Sequence, residues 1–109
     1  MTLITLVSFT ATPSNKKVIL KWTTESEISN AGFNIYRSES EDGKYIKVND
    51  LLISSEGSPT EGAKYFFIDK NLKNRLTYFY KLEDIDLNGS STFHGPLKAT
   101  PGFIYLLGK

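Results

Sequence analysis

The feature that most limits what this chain can become is a series of short runs in which β-branched and aromatic residues alternate with polar ones. Each run is closed by a cluster of Gly, Asn, Ser or Pro. Alternation with period two sends successive side chains to opposite faces of a strand, whereas an amphipathic helix repeats its apolar residues every three or four positions. No segment holds the helical period, so the chain predicts an all-β fold built from short strands and tight turns.

Residues 6–12 form a first run, with Val7, Phe9 and Ala11 alternating against Ser8 and Thr10 and Pro13-Ser14-Asn15 ending it. In residues 16–23, Val18, Leu20 and Trp22 alternate with Lys17, Ile19 and Lys21, which sets the single Trp in an inward row. The polar stretch 24–32 reads as a loop, and its Thr24-x-x-Glu27 spacing suits a capping box of one turn at most. Residues 33–38 follow as a strand with Phe33 and Ile35 on one face and Asn34 and Tyr36 on the other. Ser40-Glu41-Asp42-Gly43 then turns the chain into 45–48, Asp-Gly being a favoured hairpin pair. Residues 51–53 extend the sheet, and 54–62, rich in Ser, Gly and Pro, are expected to form the most mobile loop. Runs at 64–69, 76–86 and 90–100 complete the set. Asn88-Gly89 signals a type I′ hairpin between the last two, and Gly95-Pro96 interrupts the final one.

Seven closely spaced strands in 109 residues predict one antiparallel β-sandwich or small barrel over residues 1–101, with 102–109 as an apolar tail or the stub of a following segment. Hydrophobic residues at 39% suffice for a packed core. Thirteen basic against twelve acidic residues, interleaved, leave a net charge of +1 and no basic stripe, which argues against nucleic acid and against a membrane surface. No apolar run approaches a membrane span. The absence of cysteine removes disulfides, thiolate metal sites and thiol nucleophiles. The first residues lack the charged start and long apolar stretch of a signal peptide, leaving a cytosolic protein or a domain cut from a longer secreted chain.

Two placements narrow the sandwich. Trp22 lies on the second strand, and Leu72 precedes Tyr78 by six residues, with Tyr78 near the start of the penultimate strand. The chain thereby resembles fibronectin type III domains, members of the immunoglobulin-like sandwiches, in which a core Trp occupies the second strand and such a Leu and Tyr build a tyrosine corner. Over KWTTESEISNAGFNIYRSESEDGKYIKVN, YFFIDKNL, TYFYKLEDIDLNG and GPLKATP it resembles the type III-like domains of bacterial secreted and cell-surface proteins. That resemblance implies an extracellular or cell-surface module, a spacer, stabiliser or protein-binding unit beside other domains, with no reaction and no cofactor of its own. The Arg-Gly-Asp tripeptide of some animal members is absent from the last hairpin loop, which reads Leu87-Asn88-Gly89-Ser90.

Several residues invite other readings. His94, the single histidine, is the best candidate general base, but it has no Cys partner and no G-x-S-x-G elbow near it, and a surface or bulge histidine explains it as well. Glu83, Asp84 and Asp86 form the densest acid cluster. On a strand Glu83 faces away from the other two, and charge kept for solubility on an exposed face is the plainer account. Asp84, Asp86 and Asn88, with Gly89, match the first half of an EF-hand loop, but its twelfth position is Gly95 and its flanks are strands. A weaker calcium site borrowing oxygens from another loop, or a plain hairpin turn, would use the same letters.

Among the aromatics, Phe9, Trp22, Phe33, Tyr78 and Tyr80 fall on inward rows, while the facing of Tyr36, Tyr45, Phe66, Phe79 and Phe93 stays open. Tyr36 and Phe79 lie opposite the core row of their own strands and would make a surface patch for a carbohydrate or a protein neighbour. The tail residues Phe103, Ile104, Tyr105, Leu106 and Leu107, with Leu3, Ile4 and Leu6 at the other end, are apolar enough to favour partner contacts. A structural subunit that swaps these ends between copies, and a carbohydrate-binding module using Tyr36, Phe79 or Tyr45, are therefore the alternatives to the spacer.

Overall fold

The computed structural model describes residues 4–103. Within them lie β1 (Ile4–Ser14), β2 (Lys17–Glu27), β3 (Asn30–Ser38), β4 (Ile46–Lys47), β5 (Ile53–Ser54), β6 (Lys64–Asp69), β7 (Tyr78–Asp86) and β8 (Ser91–Ala99). They form two antiparallel sheets, one ordered β1-β2-β6 and the other β4-β3-β7-β8, with β5 also pairing with β3. The all-β sandwich is as expected, with eight strands among the described residues rather than seven. The addition is the two-residue β5, which covers the end of the 51–53 segment.

The core rows follow the alternation. Val18, Leu20 and Trp22 of β2 and Phe33 and Ile35 of β3 are fully buried, as are Tyr80 and Leu82 of β7. The Trp22 ring stacks on Tyr65 at 5.4 Å between centroids and meets Phe33 edge-on at 5.6 Å, so the rings of both sheets interlock. Tyr78 is buried at the opposite end, where its hydroxyl accepts the Lys73 backbone N–H at 3.0 Å above a buried Leu72. That is the tyrosine corner.

Two bulges account for where the first two strands depart from expectation. β1 pairs Leu6 with Thr24 and Ser8 with Thr23, leaving Val7 as an extra residue. Val7 is consequently 61% exposed instead of inward, and the inward row runs Ile4 and Leu6, then Phe9 and Ala11. Ile4, expected at a sticky free end, is buried in the core. On β2 the pairings of Thr5 with Ser26 and Leu6 with Thr24 leave Glu25 extra, so that Thr24 and Glu27 both turn inward. Residues 24–27, read as a loop, are thus the end of a long strand. Thr24 and Glu27 do bond side chain to side chain, Oγ1 to Oε2 at 2.6 Å, but across a bulge and not at a helix start.

Segment 54–62, expected to be the most mobile, is tied down by that same Glu27. Its carboxylate accepts from the Ser55 and Tyr65 hydroxyls and from the Gly57 N–H. Burial by itself would raise the Glu27 pKa, but the bonds from Ser55, Thr24, Tyr65 and Gly57 outweigh it and hold the carboxyl below its ordinary value. The Tyr65 hydroxyl, buried and bonded to that carboxylate, is pushed up to about 12.

Candidate functional site

The most distinctive surface is the outer face of the larger sheet, which carries the residues that alternate with the core rows of β3, β7 and β8. Register sets Asn34 beside Glu83 and Tyr36 beside Lys81 across β3 and β7, and Glu83 beside Phe93 across β7 and β8. Tyr36 and Phe93 meet edge to face with centroids 5.6 Å apart. The Lys81 ammonium lies 4.4 Å from the centre of the Tyr45 ring, a cation–π contact. These four side chains line a groove of about 270 Å³.

Beneath the rings sits Glu83, only 6% exposed. Its carboxylate accepts from Asn34 Nδ2 at 2.9 Å, from the Tyr36 hydroxyl at 3.1 Å and from the Ser91 hydroxyl. Asn34 is held in turn by Asn49, whose Nδ2 donates to Asn34 Oδ1 at 2.8 Å while its Oδ1 accepts the Ile35 N–H at 2.8 Å. Asn49 thus supplies from a side chain the pairing that a longer β4 would have given β3. Burial and the Glu83 carboxylate raise the pKa of Tyr36, and the bond to Glu83 holds its hydroxyl at the groove edge. Glu83 faces away from Asp84 and Asp86 as expected and is a buried strut, whereas Asp84, expected as charge kept for solubility on an exposed face, is buried as well.

Asp84, on the opposite face of β7, is likewise buried, and its Oδ2 lies 2.6 Å from Nε2 of His94 on β8. The bulge on β8 between the partners of Tyr80 and Leu82 brings the two side chains together. An aspartate orienting a histidine is a fragment of general-base machinery. Among the described residues no hydroxyl nucleophile and no second carboxylate bonds to this ring.

Asp86 is occupied differently. Its Oδ1 accepts the N–H groups of Asn88 and Ser90, both at 2.9 Å, while its carbonyl accepts the Gly89 N–H at 3.0 Å. Gly89 has φ +88°, and Asn88 is not in the left-handed region. The hairpin is therefore a type I turn closed by a G1 bulge and not the expected type I′, because the Asp86 side chain stabilises the first geometry. The calcium candidates Asp84, Asp86 and Asn88 are accordingly spread between the His94 pair and this turn. Among the described residues no group of three His, Asp or Glu side chains is arranged to hold a metal ion.

Phe79 lies on the outer face as expected, but its neighbours are Glu41, Pro96 and Lys98. Tyr36 is instead joined by Phe93, Tyr45 and Lys81. Of the terminal candidates, Phe103 is 65% exposed beside Asn74, Arg75 and Gly102. Ile104, Tyr105, Leu106 and Leu107 lie outside the described residues, as does Leu3. Phe93 was legible only as an aromatic of open facing, and Lys81 carried no signal, since both acquire meaning through cross-strand register.

No protein-family profile matches the chain. It is 28% identical over 91 residues to an amylopullulanase of Thermoanaerobacter thermohydrosulfuricus, an alignment covering 83% of this chain and 6% of that protein. The chain thus spans a small fraction of the curated relative it matches. Among solved structures, a Fn3-like protein from Clostridium thermocellum superposes with TM-score 0.54 at 14% identity, covering 96% of this chain and 98% of the other. A β-1,2-glucanase from Parabacteroides distasonis gives 0.58 at 14%, covering 95% of this chain and 14% of that one. Astrotactin-2 gives 0.66 at 18%, covering 95% and 23%. With a core Trp on the second strand, a tyrosine corner and these superpositions, the chain has a fibronectin type III-like β-sandwich fold.

Proposed function

We propose that this domain is an extracellular, non-catalytic accessory module of a longer polypeptide, holding its neighbours at a set separation and offering its sheet faces for contact. The observation that carries the reading is where the chain enters and leaves. Ile4 pairs with Glu27 at one end of the sandwich, whereas Gly102 donates its N–H to the Ser14 carbonyl at the other. The body measures 46 × 31 × 22 Å, and the eleven residues of β1, at roughly 3.3 Å each, span most of its long axis. Two neighbours attached at these ends would therefore be held on opposite sides of a packed body. The similarity to a short stretch of an amylopullulanase, and the fold shared with a β-1,2-glucanase, support a place beside a polysaccharide-cleaving enzyme. Polysaccharides do not cross membranes unaided, which favours a setting outside the cell.

The chain has no cysteine, so a pair introduced at exposed ends can be labelled cleanly. Spin labels on Thr5→Cys and Phe103→Cys should give one narrow distance distribution centred at roughly 30–40 Å. A broad distribution, or a mean below that range, would overturn the spacer. Light scattering should find a monomer; an oligomer that dissolves when residues 102–109 are removed would favour the assembly-subunit reading instead.

A further inference from the structure

We propose that the groove of Tyr36, Tyr45, Lys81 and Phe93 binds a single glucopyranose unit of a neutral glucan. The choice of ligand rests on the accessory-module reading above; the site itself rests on geometry. In an edge-to-face pair, the ring presenting its edge has both faces clear of its partner and the other has one. Phe93 is 53% exposed on the outermost strand of its sheet, so open aromatic surface reaches solvent there. The face of a pyranose offers several C–H groups polarised by neighbouring oxygens, which suit the negative face of an aromatic ring. The rim of the sugar offers hydroxyls that need partners.

The groove supplies such partners without an unpaired charge. Tyr36 spends its proton on Glu83 at 3.1 Å, which leaves the phenol oxygen as an acceptor for a sugar hydroxyl. Lys81, anchored over Tyr45, offers ammonium protons to a sugar oxygen. It is the one charged side chain lining the groove among the described residues, and the Glu83 carboxylate below already accepts three hydrogen bonds. A polyanion would call for several cations, and a purely apolar ligand would strand the Tyr36 and Lys81 groups. At about 270 Å³ the groove falls just under the ~300–1,000 Å³ of ordinary small-molecule sites, which limits it to about one ring of a chain that continues into solvent.

The test is a titration of the isotopically labelled chain followed by amide and aromatic NMR shifts. One arm uses maltohexaose and the other a linear β-1,2-linked glucooligosaccharide, since both present glucopyranose in different linkages. Saturable shifts confined to Tyr36, Tyr45, Lys81, Phe93 and their strand neighbours, in either arm, support the site, and the responding arm identifies the linkage. Phe93→Ala, at an exposed edge position, should weaken binding roughly tenfold while the core resonances stay in place. Tyr36→Phe keeps the ring and should weaken it less.

Shifts in neither arm, or equal affinity in Phe93→Ala, would overturn the proposal. So would shifts at these residues that follow protein concentration and not sugar, which would make the groove a protein contact. None of these outcomes alters the distance between positions 5 and 103, so the spacer reading and the sugar site fail separately.

Discussion

Nη1 of Arg37 on β3 reaches across the sandwich to both carboxylate oxygens of Asp69 on β6, at 2.8 and 3.0 Å, joining one sheet to the other. The Tyr80 hydroxyl donates to the same carboxylate at 2.8 Å, and the Arg37 guanidinium lies 5.7 Å from the Tyr78 ring centre. Burial, together with the Asp69 carboxylate, pushes the Tyr80 hydroxyl well above its ordinary range. Asp69 is buried while Arg37 is partly solvated, so removing the acid strands one half-wet cation and one dry hydroxyl. Asp69→Ala should cost about 1–3 kcal/mol in urea unfolding, and Arg37→Met more, about 3–5 kcal/mol, because it leaves the buried carboxylate with the Tyr80 hydroxyl and no cation. Equal losses in both variants would contradict this asymmetry.

The tyrosine corner offers a cleaner deletion. Tyr78→Phe keeps the buried ring and removes only the acceptor of the Lys73 N–H. A loss of about 1 kcal/mol is expected at unchanged denaturant slope. An unchanged midpoint would mean that water serves Lys73 equally well.

Glu27 makes part of the stability depend on pH. Its pKa in the fold is lowered from 4.5, so its contribution is present above that ordinary value and is lost as pH falls through the lower, folded one. Protonation replaces an acceptor with a donor among the hydroxyls of Thr24, Ser55 and Tyr65 and the Gly57 N–H. Amide exchange at Gly57 should therefore accelerate in acid before the core strands do. In Glu27→Gln that acid step should disappear; its persistence would assign it to another carboxylate.

Gly62 lies flat against β2. A Cβ there would sit 1.7 Å from the Thr24 carbonyl oxygen and 2.5 Å from its carbon, backbone atoms that cannot turn aside. Gly62→Ala should lift this segment off the strand, weakening the Thr24–Ala63 bonds, at a cost of roughly 1–3 kcal/mol by thermal unfolding. Gly89, whose Cβ would meet nothing within 4 Å but whose φ is +88°, should show a smaller loss on the same change.

The class of fold and most core positions were legible because burial on a sheet repeats every second residue, a rule that operates within a few neighbours. Trp22, Phe33, Ile35, Tyr80 and Leu82 all obey it. Val7 and Glu27 escaped the rule because a bulge changes the phase of everything beyond it, and a bulge is decided by the partner strand. The groove was half legible for the same reason. Tyr36 was marked by its own strand, but its company of Phe93, Lys81 and Tyr45 is assembled across β3, β7 and β8 and the turn before β4. Asp69 did carry a signal, as the polar third term of the inward row Tyr65 and Phe67.

The opposite exits of the chain also decide how this domain meets force. Tension applied through residues on either side pulls β1 along its own axis, against a partner strand paired with it from Ile4–Glu27 to Ser14–Lys17. Bonds in that arrangement are loaded together in shear, not opened one at a time as in a zipper, so rupture requires many to fail at once. Pulled through positions 5 and 103, the sandwich should yield in one abrupt step and not by gradual peeling.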